Sequence, residues 1–419
     1  MSKIFYNIFT WLYPFFASLI APFNAKAKKW LSGRKDIFET IEHALDKDSR
    51  PVIWMHCASL GEFEQGRPLL EELRANYPSY AIVLTFFSPS GYEVQKGYKG
   101  ADYIFYLPMD NETNARRFLD LVNPALVIFI KYEFWYYYLT EIKKRNIPCL
   151  LVSAIFRRNQ PFFKWYGGFH QEMLACFTYC FVQNEESLQL LNGIGYTATY
   201  LAGDTRFDRV IQIAERFEPI ESIAAFCGDA KVIVAGSTWT EDDKELDHFA
   251  NTRPDVRFII APHNIGEDRL KECLQLYKSA VLYSEWIKSA NTSPSSFNTL
   301  IIDNIGMLSR LYHYATIAFI GGGFGAEGIH NALEAAVYSK AVVFGPVYDK
   351  YAEAIELVEK GGAFPVNDAL ELEKKLSELL NNAAAYNNAC HVAGAYVAAK
   401  TGATKKIIQF IHANRLLTN

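Results

Sequence analysis

Residues 51–70 read PVIWMHCASLGEFEQGRPLL, an apolar run followed by a polar turn and an amphipathic segment. Val52–Cys57 has the composition of a buried strand, Ser59-Leu60-Gly61-Glu62 is predicted to form the turn, and a helix is expected to follow. Because strand, turn and helix in this order begin a βαβ unit, the stretch predicts a parallel α/β sheet.

The same alternation of short apolar runs and helix-length spacers continues along the chain and separates into two series. Each series is long enough for a doubly wound, Rossmann-like sheet of its own. In the first half we expect strands at Val52–Cys57, Ala81–Phe86, Tyr103–Leu107, Ala125–Ile130, Pro148–Ala154, Tyr179–Gln183 and Thr199–Ala202. In the second half they are expected at Lys231–Ala235, Arg257–Ala261, Val281–Tyr283, Thr299–Ile302, Ile317–Ile320 and Ala341–Phe344.

The two series predict two domains facing a cleft, an arrangement that suits a reaction between two substrates. We place a membrane anchor and basic collar at 1–35, the first domain at 36–207 and a linker at 208–226. The second domain then spans 227–395. A C-terminal helix is expected in 396–419, and its return to the first domain stays open.

Composition excludes several classes of protein. Half of the 419 residues are hydrophobic and 15% are aromatic, which excludes a disordered or fibrous chain. Lys plus Arg is 42 against 46 for Asp plus Glu, so the net charge of −4 argues against a nucleic-acid partner. The seven cysteines form no Cys-x-x-Cys pair, which is typical of buried thiols in a reducing compartment.

The N-terminal stretch Ile4–Phe23 (IFYNIFTWLYPFFASLIAPF) contains no charged residue and would reach ~30 Å as a helix. A basic collar follows it, which favours retention of the segment and a cytoplasmic location for the rest of the chain. Asn7 and Pro14 weaken a full span, so the helix could instead lie in one leaflet. The alternative is a buried N-terminal core helix. The basic residues of the collar are Lys26, Lys28, Lys29, Arg34 and Lys35.

Glu62 is a candidate general base, because a carboxylate at a helix start beside a cleft could accept a proton from an attacking hydroxyl. Gly61 is expected to let the backbone turn tightly before it. The alternative for Glu62 is a structural role, since acidic residues are favoured at the first turn of a helix.

The run GGGFGAEG (321–328) follows a predicted strand and is expected to lead into a helix beginning near Ile329 or His330. Gly322 and Gly323 at such a turn would let backbone amides approach a phosphate, and a helix N-terminus would add positive potential. Asn331 and Glu334 would share one helix face, where the carboxylate could accept both hydroxyls of a ribose. Alternatively, Glu334 is a solvated helical acid and His330 a structural histidine.

Three further loops at predicted strand ends point to a nucleotide site: Gly236-Ser237-Thr238, Pro262-His263-Asn264 and Asn304-Ile305-Gly306-Met307.

The adjacent acids Asp242-Asp243 do not form an Asp-x-Asp metal motif and are expected to be a solvated pair.

Several linked motifs in one order resemble the 3-deoxy-D-manno-octulosonic acid (Kdo) transferase family of lipopolysaccharide synthesis, over nearly the whole chain. In the first half they are HCASLGEFEQGRPLL (56–70), LPMDNETNARRFLDLVNPALVIF (107–129), EFW (133–135) and GDTRFD (203–208). In the second half they are AGST (235–238), DNIGMLSRLY (303–312), FIGGG (319–323) and GIHNALEAA (328–336).

The resemblance implies an inverting glycosyltransferase of the GT-B architecture. It would transfer Kdo from CMP-Kdo to the lipid A precursor, lipid IVA, at the cytoplasmic face of the inner membrane, with no metal and no cofactor. Glu62 occupies the family's general-base position, and Arg206 stands where the family has a transition-state lysine. The positions that the resemblance implies for binding CMP are Pro262, His263, Ile305, Gly306, Met307, Asn331, Ala332, Leu333 and Glu334. From their loops, Ser237, Thr238, Gly322, Gly323 and His330 are candidates for the same site.

Three positions depart from the family pattern and indicate a divergent subgroup. His263 stands where an Arg is usual, Met307 where a Glu is usual, and Lys131 replaces the first Glu of a Glu-x-Glu-x-Trp motif whose second Glu is Glu133. Lys131 is kept with Glu62 and Arg206 as a catalytic candidate.

A second basic and aromatic cluster would help to hold an anionic lipid at the membrane surface. It comprises Arg157, Arg158 and Lys164 with Phe156, Phe162, Phe163 and Trp165. Its alternative is an amphipathic core helix. For the whole protein, the alternatives are a GT-B enzyme with a different donor (a UDP-sugar transferase or an epimerase) and an inactive membrane-anchored binding protein.

Overall fold

The computed structural model describes residues 3–288 and 297–418. The chain divides into two compact units: the first takes residues up to Arg209 together with those from Thr401 onwards, and the second is Val210–Lys400. The first 35 residues therefore belong to the first unit, as do the residues after Thr401.

The first unit contains a seven-stranded parallel sheet in the order β3-β2-β1-β4-β5-β6-β7. The strands β1, β2 and β4 are buried almost throughout, as parallel strands covered by helices on both faces must be. The strands are β1 (Val52–Cys57), β2 (Ala81–Phe86), β3 (Tyr103–Tyr106), β4 (Pro124–Ile130), β5 (Cys149–Ala154), β6 (Tyr179–Val182) and β7 (Thr199–Leu201). The helices are α1 (Lys3–Ile20), α2 (Ala25–Ser32), α3 (Ile37–Leu45), α4 (Leu60–Asn76), α5 (Pro89–Gln95), α6 (Glu112–Val122), α7 (Tyr136–Lys144), α8 (Gly168–Leu174), α9 (Glu185–Gly193) and the start of α10 (Thr205–Glu215).

The second unit contains its own seven-stranded parallel sheet, in the order β10-β11-β9-β8-β12-β13-β14. Its strands are β8 (Lys231–Thr238), β9 (Val256–Pro262), β10 (Ala280–Leu282), β11 (Thr299–Ile301), β12 (Ile317–Ile320), β13 (Ala341–Phe344) and β14 (Ala363–Pro365). Its helices are α11 (Glu221–Cys227), α12 (Thr240–Thr252), α13 (Glu267–Leu276), α14 (Tyr283–Trp286), α15 (Leu308–Leu311), α16 (Leu333–Ala336), α17 (Ala352–Lys360), α18 (Ala369–Asn381) and α19 (Ala383–Ala399).

Strand order places a topological switch point in each sheet, between β1 and β4 in the first and between β8 and β12 in the second. Ligands of doubly wound sheets bind at such points, beyond the carboxyl ends of the strands. Both candidate regions lie there: Glu62 and Lys131 follow β1 and β4, whereas Gly321–Gly323 follow β12.

Every predicted strand overlaps an observed one, and the two doubly wound sheets are confirmed. β14 is not among the predicted strands; it is an edge strand that ends in a proline, a residue that argues against a strand. Ser237 and Thr238 lie inside β8 and not in the loop after it. The unit boundary falls within α10, and 396–419 is not one helix, since α19 ends at Ala399 and α20 (Ala403–Ala413) follows. Ile407 and Ile411 of α20 pack with Leu73 of α4 in the core of the first unit.

The N-terminal helix α1 is attached along one face and exposed along the other. Tyr6 and Ala17 are buried, and the Tyr6 hydroxyl donates to the carboxylate of buried Asp110. Within the described residues no helix is long and apolar enough to cross a membrane. Because most of its side chains are exposed, α1 is not a buried core helix. Its exposed apolar residues are Ile4, Phe5, Ile8, Phe9, Trp11, Phe15, Phe16, Leu19 and Ile20.

Arg34 of the basic collar is half-buried against the first unit. Its guanidinium donates to the carbonyl oxygens of Leu107 (2.9 Å) and Phe87 (2.8 Å) and lies over the Trp30 ring. Burial lowers the pKa of Arg34 to about 9. Since Arg34 and Tyr6 tie the first 35 residues to the sheet, this segment is integral to the first unit.

The residues around Arg157 do not form the amphipathic helix weighed as an alternative. Pro161–Phe163 is a single 3₁₀ turn in the connection between β5 and α8. Phe156 and Phe162 are buried, whereas Trp165 is 95% exposed. All seven cysteines are unpaired, and all but Cys390 are buried.

Candidate active site

Glu62 is the third residue of α4, directly beyond the carboxyl end of β1. Its carboxylate accepts hydrogen bonds from the backbone amides of Ala58 and Ser59, so it caps the helix. The expected tight turn at Gly61 is wrong, because Gly61 lies within α4 and an added Cβ would meet nothing within 4 Å.

The surroundings of Glu62 raise the pKa of its carboxyl from 4.5 to about 7. Burial is the largest cause and the negative charge of Glu133 the second, whereas the two amides and the charge of Lys131 lower it. A carboxyl with a pKa near neutrality can both hold and release a proton under working conditions. The structural and catalytic interpretations of Glu62 are therefore compatible.

Glu133 is held beyond the end of β4 by two side chains. The indole of Trp135 donates to Glu133 Oε2 (2.6 Å), and His56 Nε2 lies 3.1 Å from the same oxygen. His56 Nδ1 is 2.8 Å from the hydroxyl of Thr85, and both residues are fully buried. These contacts fix the carboxylate whose charge acts on Glu62.

The positive charges of Lys131 and Arg206 interact with different carboxylates. Lys131 directly follows β4 with a left-handed backbone (φ 69°), a conformation that is rare for a residue with a side chain. Its charge favours the ionised form of Glu62. Arg206 binds the carboxylate of Asp204 through Nε (2.8 Å) and a terminal nitrogen (2.7 Å), which offsets its charge. The charge of Arg206 lowers the pKa of Tyr132 and the charge of Glu62 raises it. The segment after β4 therefore lies near both residues.

In the second unit, a pocket of about 460 Å³ opens beyond the strand ends, next to the switch point. It brings together residues from three loops that are far apart in the sequence. Among the predicted positions it is lined by Ser237, Pro262, His263, Ile305 and Gly306, and Trp239 and Asn264 also contribute.

The glycines after β12 are required by packing. A Cβ on Gly321 would lie 2.4 Å from the Ser237 carbonyl oxygen, and one on Gly323 would lie 2.5 Å from the Gly345 amide nitrogen. The end of β8 and the loops that follow β12 and β13 can therefore meet only because these positions lack side chains.

Asp242 is not a solvated acid, as the sequence had suggested, but a fully buried one. Its carboxylate accepts hydrogen bonds from the amides of Gly322 (2.7 Å), Phe324 (3.4 Å) and Trp239 (2.8 Å). The Gly322 amide is thus engaged in holding the glycine loop. Asp243 is equally buried and binds Arg269 and the Tyr277 hydroxyl. Burial raises the pKa of both carboxyls.

The helix expected near Ile329 or His330 begins only at Leu333 and has four residues. So short a helix has no useful macrodipole, and the expected positive potential at its N-terminus is wrong. Asn331 precedes it, donates to Glu334 Oε1 (3.1 Å) and accepts from the Leu333 amide (3.2 Å). Asn331 and Glu334 are therefore in contact as expected. They meet because Asn331 caps the helix that contains Glu334, and not because they share a helix face.

Trp239, His263 and His330 form a stack of aromatic rings. Successive centroids lie 4.5 Å apart, at interplanar angles of 25° and 19°. The Trp239 indole donates to His330 Nε2 (3.3 Å), which fits a neutral imidazole. Burial and the neighbouring His263 lower the pKa of His330.

The remaining predicted positions differ in exposure. Thr238, Met307, Ala332 and Leu333 have buried side chains, whereas Ile305 is 87% exposed. In residues 3–288 and 297–418, no group of three or more His, Cys, Asp or Glu side chains is placed to hold a metal ion.

Residues 34–209 match the sequence model of the 3-deoxy-D-manno-octulosonic-acid transferases. The Kdo transferase of Rickettsia felis is 31% identical over 344 residues, covering 80% of this chain and 72% of that protein. The chain belongs to the 3-deoxy-D-manno-octulosonic acid transferase family. The Aquifex aeolicus member is 28% identical over 355 residues, covering 82% of this chain and 91% of that protein.

Family membership makes the chain a glycosyltransferase and confirms the resemblance found in its motifs. Its fold is shared with UDP-GlcNAc 2-epimerase from Neisseria meningitidis, with a TM-score of 0.64 and 16% identity over 87% of this chain and all of the epimerase. At that identity the similarity concerns the fold alone, which is the GT-B class.

Sequence reasoning missed several residues of this Kdo transferase-family site. His56 gave a signal, since it is a polar residue within a buried strand. Trp239 and Asp242 gave none beyond their position after β8, because their contacts with the glycine loop arise only in the folded chain.

Proposed function

We propose that this transferase moves Kdo from CMP-Kdo to a hydroxyl of lipid IVA, with Glu62 as the general base. The observation that carries the proposal is the placement of the Glu62 carboxylate beyond β1, at the switch point of the first sheet, where burial and Glu133 raise its pKa to about 7. Its carboxylate would take the proton from the acceptor hydroxyl as that oxygen attacks the anomeric carbon of Kdo. CMP would leave with the bonding electron pair, and the configuration would invert.

The donor would occupy the second unit. The pocket of about 460 Å³ has the size of a small-ligand site and polar groups from three loops. Glu334, held by Asn331, offers a carboxylate to ribose hydroxyls. Charge development on the CMP phosphate would be met by protein groups, and we expect no metal or cofactor.

Membrane association would come from α1 and α2. The exposed apolar residues of α1 adjoin Lys26, Lys28 and Lys29 on α2, a combination that favours an anionic membrane surface. We therefore assign the protein to the cytoplasmic face of the inner membrane.

Mass spectrometry of lipid IVA incubated with the protein and CMP-Kdo tests the reaction. The expected product is heavier by one or more Kdo residues. CMP binding without any product would favour the inactive binding protein.

Calorimetric titration with CMP and UDP tests the donor. Glu334→Ala should weaken CMP binding by about tenfold, the value of one charge-assisted hydrogen bond. Glu359→Ala, which removes an exposed carboxylate of α17, is the matched control and should leave CMP affinity unchanged. A clear preference for UDP would favour a UDP-sugar enzyme instead.

A further inference from the structure

A groove of about 510 Å³ runs between α1, α2 and the residues that follow β2. Its walls are mostly apolar: Leu12, Phe16 and Ile20 come from α1, Ala27 and Trp30 from α2, and Phe87 from the segment after β2. Such a shape and lining suit a slender hydrocarbon ligand better than a polar one.

The groove adjoins the residues proposed to act on the acceptor. The Phe87 ring packs on the Trp135 ring with centroids 4.7 Å apart, and Trp135 binds Glu133. The amide of Ser88, another lining residue, donates to the Ala58 carbonyl oxygen (2.7 Å). The Ala58 amide in turn donates to Glu62. One short backbone segment therefore connects the groove wall to the Glu62 carboxylate.

The other side of the groove continues into the exposed apolar face of α1. Phe9, Phe16 and Ile20 line the groove and are still 52–54% exposed. Lys26, which is exposed, also lines it and offers a positive charge to an anionic headgroup. A chain could enter from the membrane surface without leaving an apolar environment.

We propose that this groove binds one acyl chain of the lipid acceptor and thereby places the acceptor sugar at Glu62. The inference rests on the proposed transfer to a lipid. A bilayer phospholipid has no group that must reach Glu62. An acceptor chain bound in the groove, by contrast, would position the hydroxyl that must lose its proton. Each methylene that moves from water into the groove strengthens binding about fourfold.

Neighbouring residues of α1 provide a matched test. Phe16 lines the groove and is 54% exposed, whereas Phe15 does not line it and is 52% exposed. Phe16→Asp and Phe15→Asp therefore change the membrane-facing surface equally, but only the first places a carboxylate in the groove. Both purified full-length variants are compared with the unaltered protein after circular dichroism and thermal melting establish their folding.

The transfer assay uses lipid IVA and its fully deacylated, water-soluble analogue, each with CMP-Kdo. The measured quantity is the ratio of kcat/KM for the acylated acceptor to that for the deacylated one. We expect Phe16→Asp to lower this ratio at least tenfold relative to Phe15→Asp. Equal ratios for the two variants would overturn the proposal.

A binding assay separates this inference from the transfer reaction itself. The probe is a lysophosphatidic acid with one twelve-carbon chain, used below its micellar concentration in calorimetric titration. Phe16→Asp should bind it at least tenfold more weakly than Phe15→Asp, and equal weakening would refute the groove as the binding site. If Phe16→Asp bound the probe more weakly than Phe15→Asp while both variants had equal transfer ratios, another lipid would occupy the groove, contrary to the proposal. If the two variants differed in probe binding but the unaltered protein transferred no Kdo, the groove would be supported and the proposed function refuted.

Discussion

The substitution Glu62→Gln should make the protein more stable at alkaline pH while removing its activity. The pKa of the Glu62 carboxyl rises from 4.5 to about 7 on folding, and each unit corresponds to about 1.4 kcal/mol. Because the folded state disfavours the ionised form, the contribution of this carboxyl to stability is fully present below about pH 4.5 and is lost as the pH rises through about 7. After allowance for partial exposure, the loss in the unaltered protein is about 2–3 kcal/mol.

Glutamine is neutral at every pH and can still accept the amide hydrogen bonds of Ala58 and Ser59. The cap is therefore kept and the ionisation penalty is lost. For a domain of this size, 1 kcal/mol shifts the melting midpoint by about 2–4 °C. Calorimetry should thus show a midpoint about 4–12 °C higher for Glu62→Gln at pH 8, and almost no difference at about pH 4. Transfer should fall at least about 100-fold, since no proton acceptor remains.

Glu64→Gln is the matched control, because it removes a carboxylate from the same helix turn. Glu64 pairs with Arg209 (2.7 Å), so this variant should lose stability at pH 8 instead of gaining it. The reasoning would be refuted if Glu62→Gln changed the midpoint equally at both pH values, or if it kept transfer within tenfold of the unaltered protein.

Three further substitutions extend the argument. Glu133→Gln removes the charge that raises the pKa of Glu62, so the acidic limb of the pH profile of kcat/KM should move to lower pH. Asp242→Asn places an amide donor against the amides of the glycine loop, and calorimetry should show a loss of about 1–3 kcal/mol in the second unit together with about tenfold weaker CMP binding. Trp11→Asp, at an exposed site on α1, should release the protein from anionic vesicles in a sedimentation assay without lowering its melting midpoint.

Each of these three predictions would be contradicted by a specific result. An unchanged acidic limb would show that Glu133 does not act on Glu62. Full CMP affinity in Asp242→Asn would separate the glycine loop from donor binding, with Asp247→Asn in the same helix as the control. Continued sedimentation of Trp11→Asp with vesicles would argue against α1 as the membrane contact. Removal of residues 1–35 is unsuitable for that test, because it also deletes Tyr6 and Arg34 from the first unit.

The strand pattern could be predicted because it is a local property. An apolar run such as Val52–Cys57 must be buried on both faces of a parallel sheet, and the helices between such runs must cover it. Since each run carries its own composition and spacing, two doubly wound sheets follow without knowledge of any long-range contact. The linked motifs indicated the family for the same reason, as each is a short stretch in a fixed order.

The properties of individual side chains depended on contacts between distant parts of the chain. Asp242 was interpreted as solvated because acidic pairs usually are, but the glycine loop after β12 buries it and supplies amide donors. Glu62 had two competing interpretations. The structure shows the cap of α4, and the raised pKa that burial and Glu133 give its carboxyl leaves the general-base role a prediction. The expected helix at His330 failed because the segment is shaped by that loop and by the ring stack with His263 and Trp239. By itself the sequence determined where strands, helices and motifs lie, because local composition sets them. Only the tertiary structure decided which groups are charged, capped or buried, because those properties depend on neighbours brought together from across each sheet.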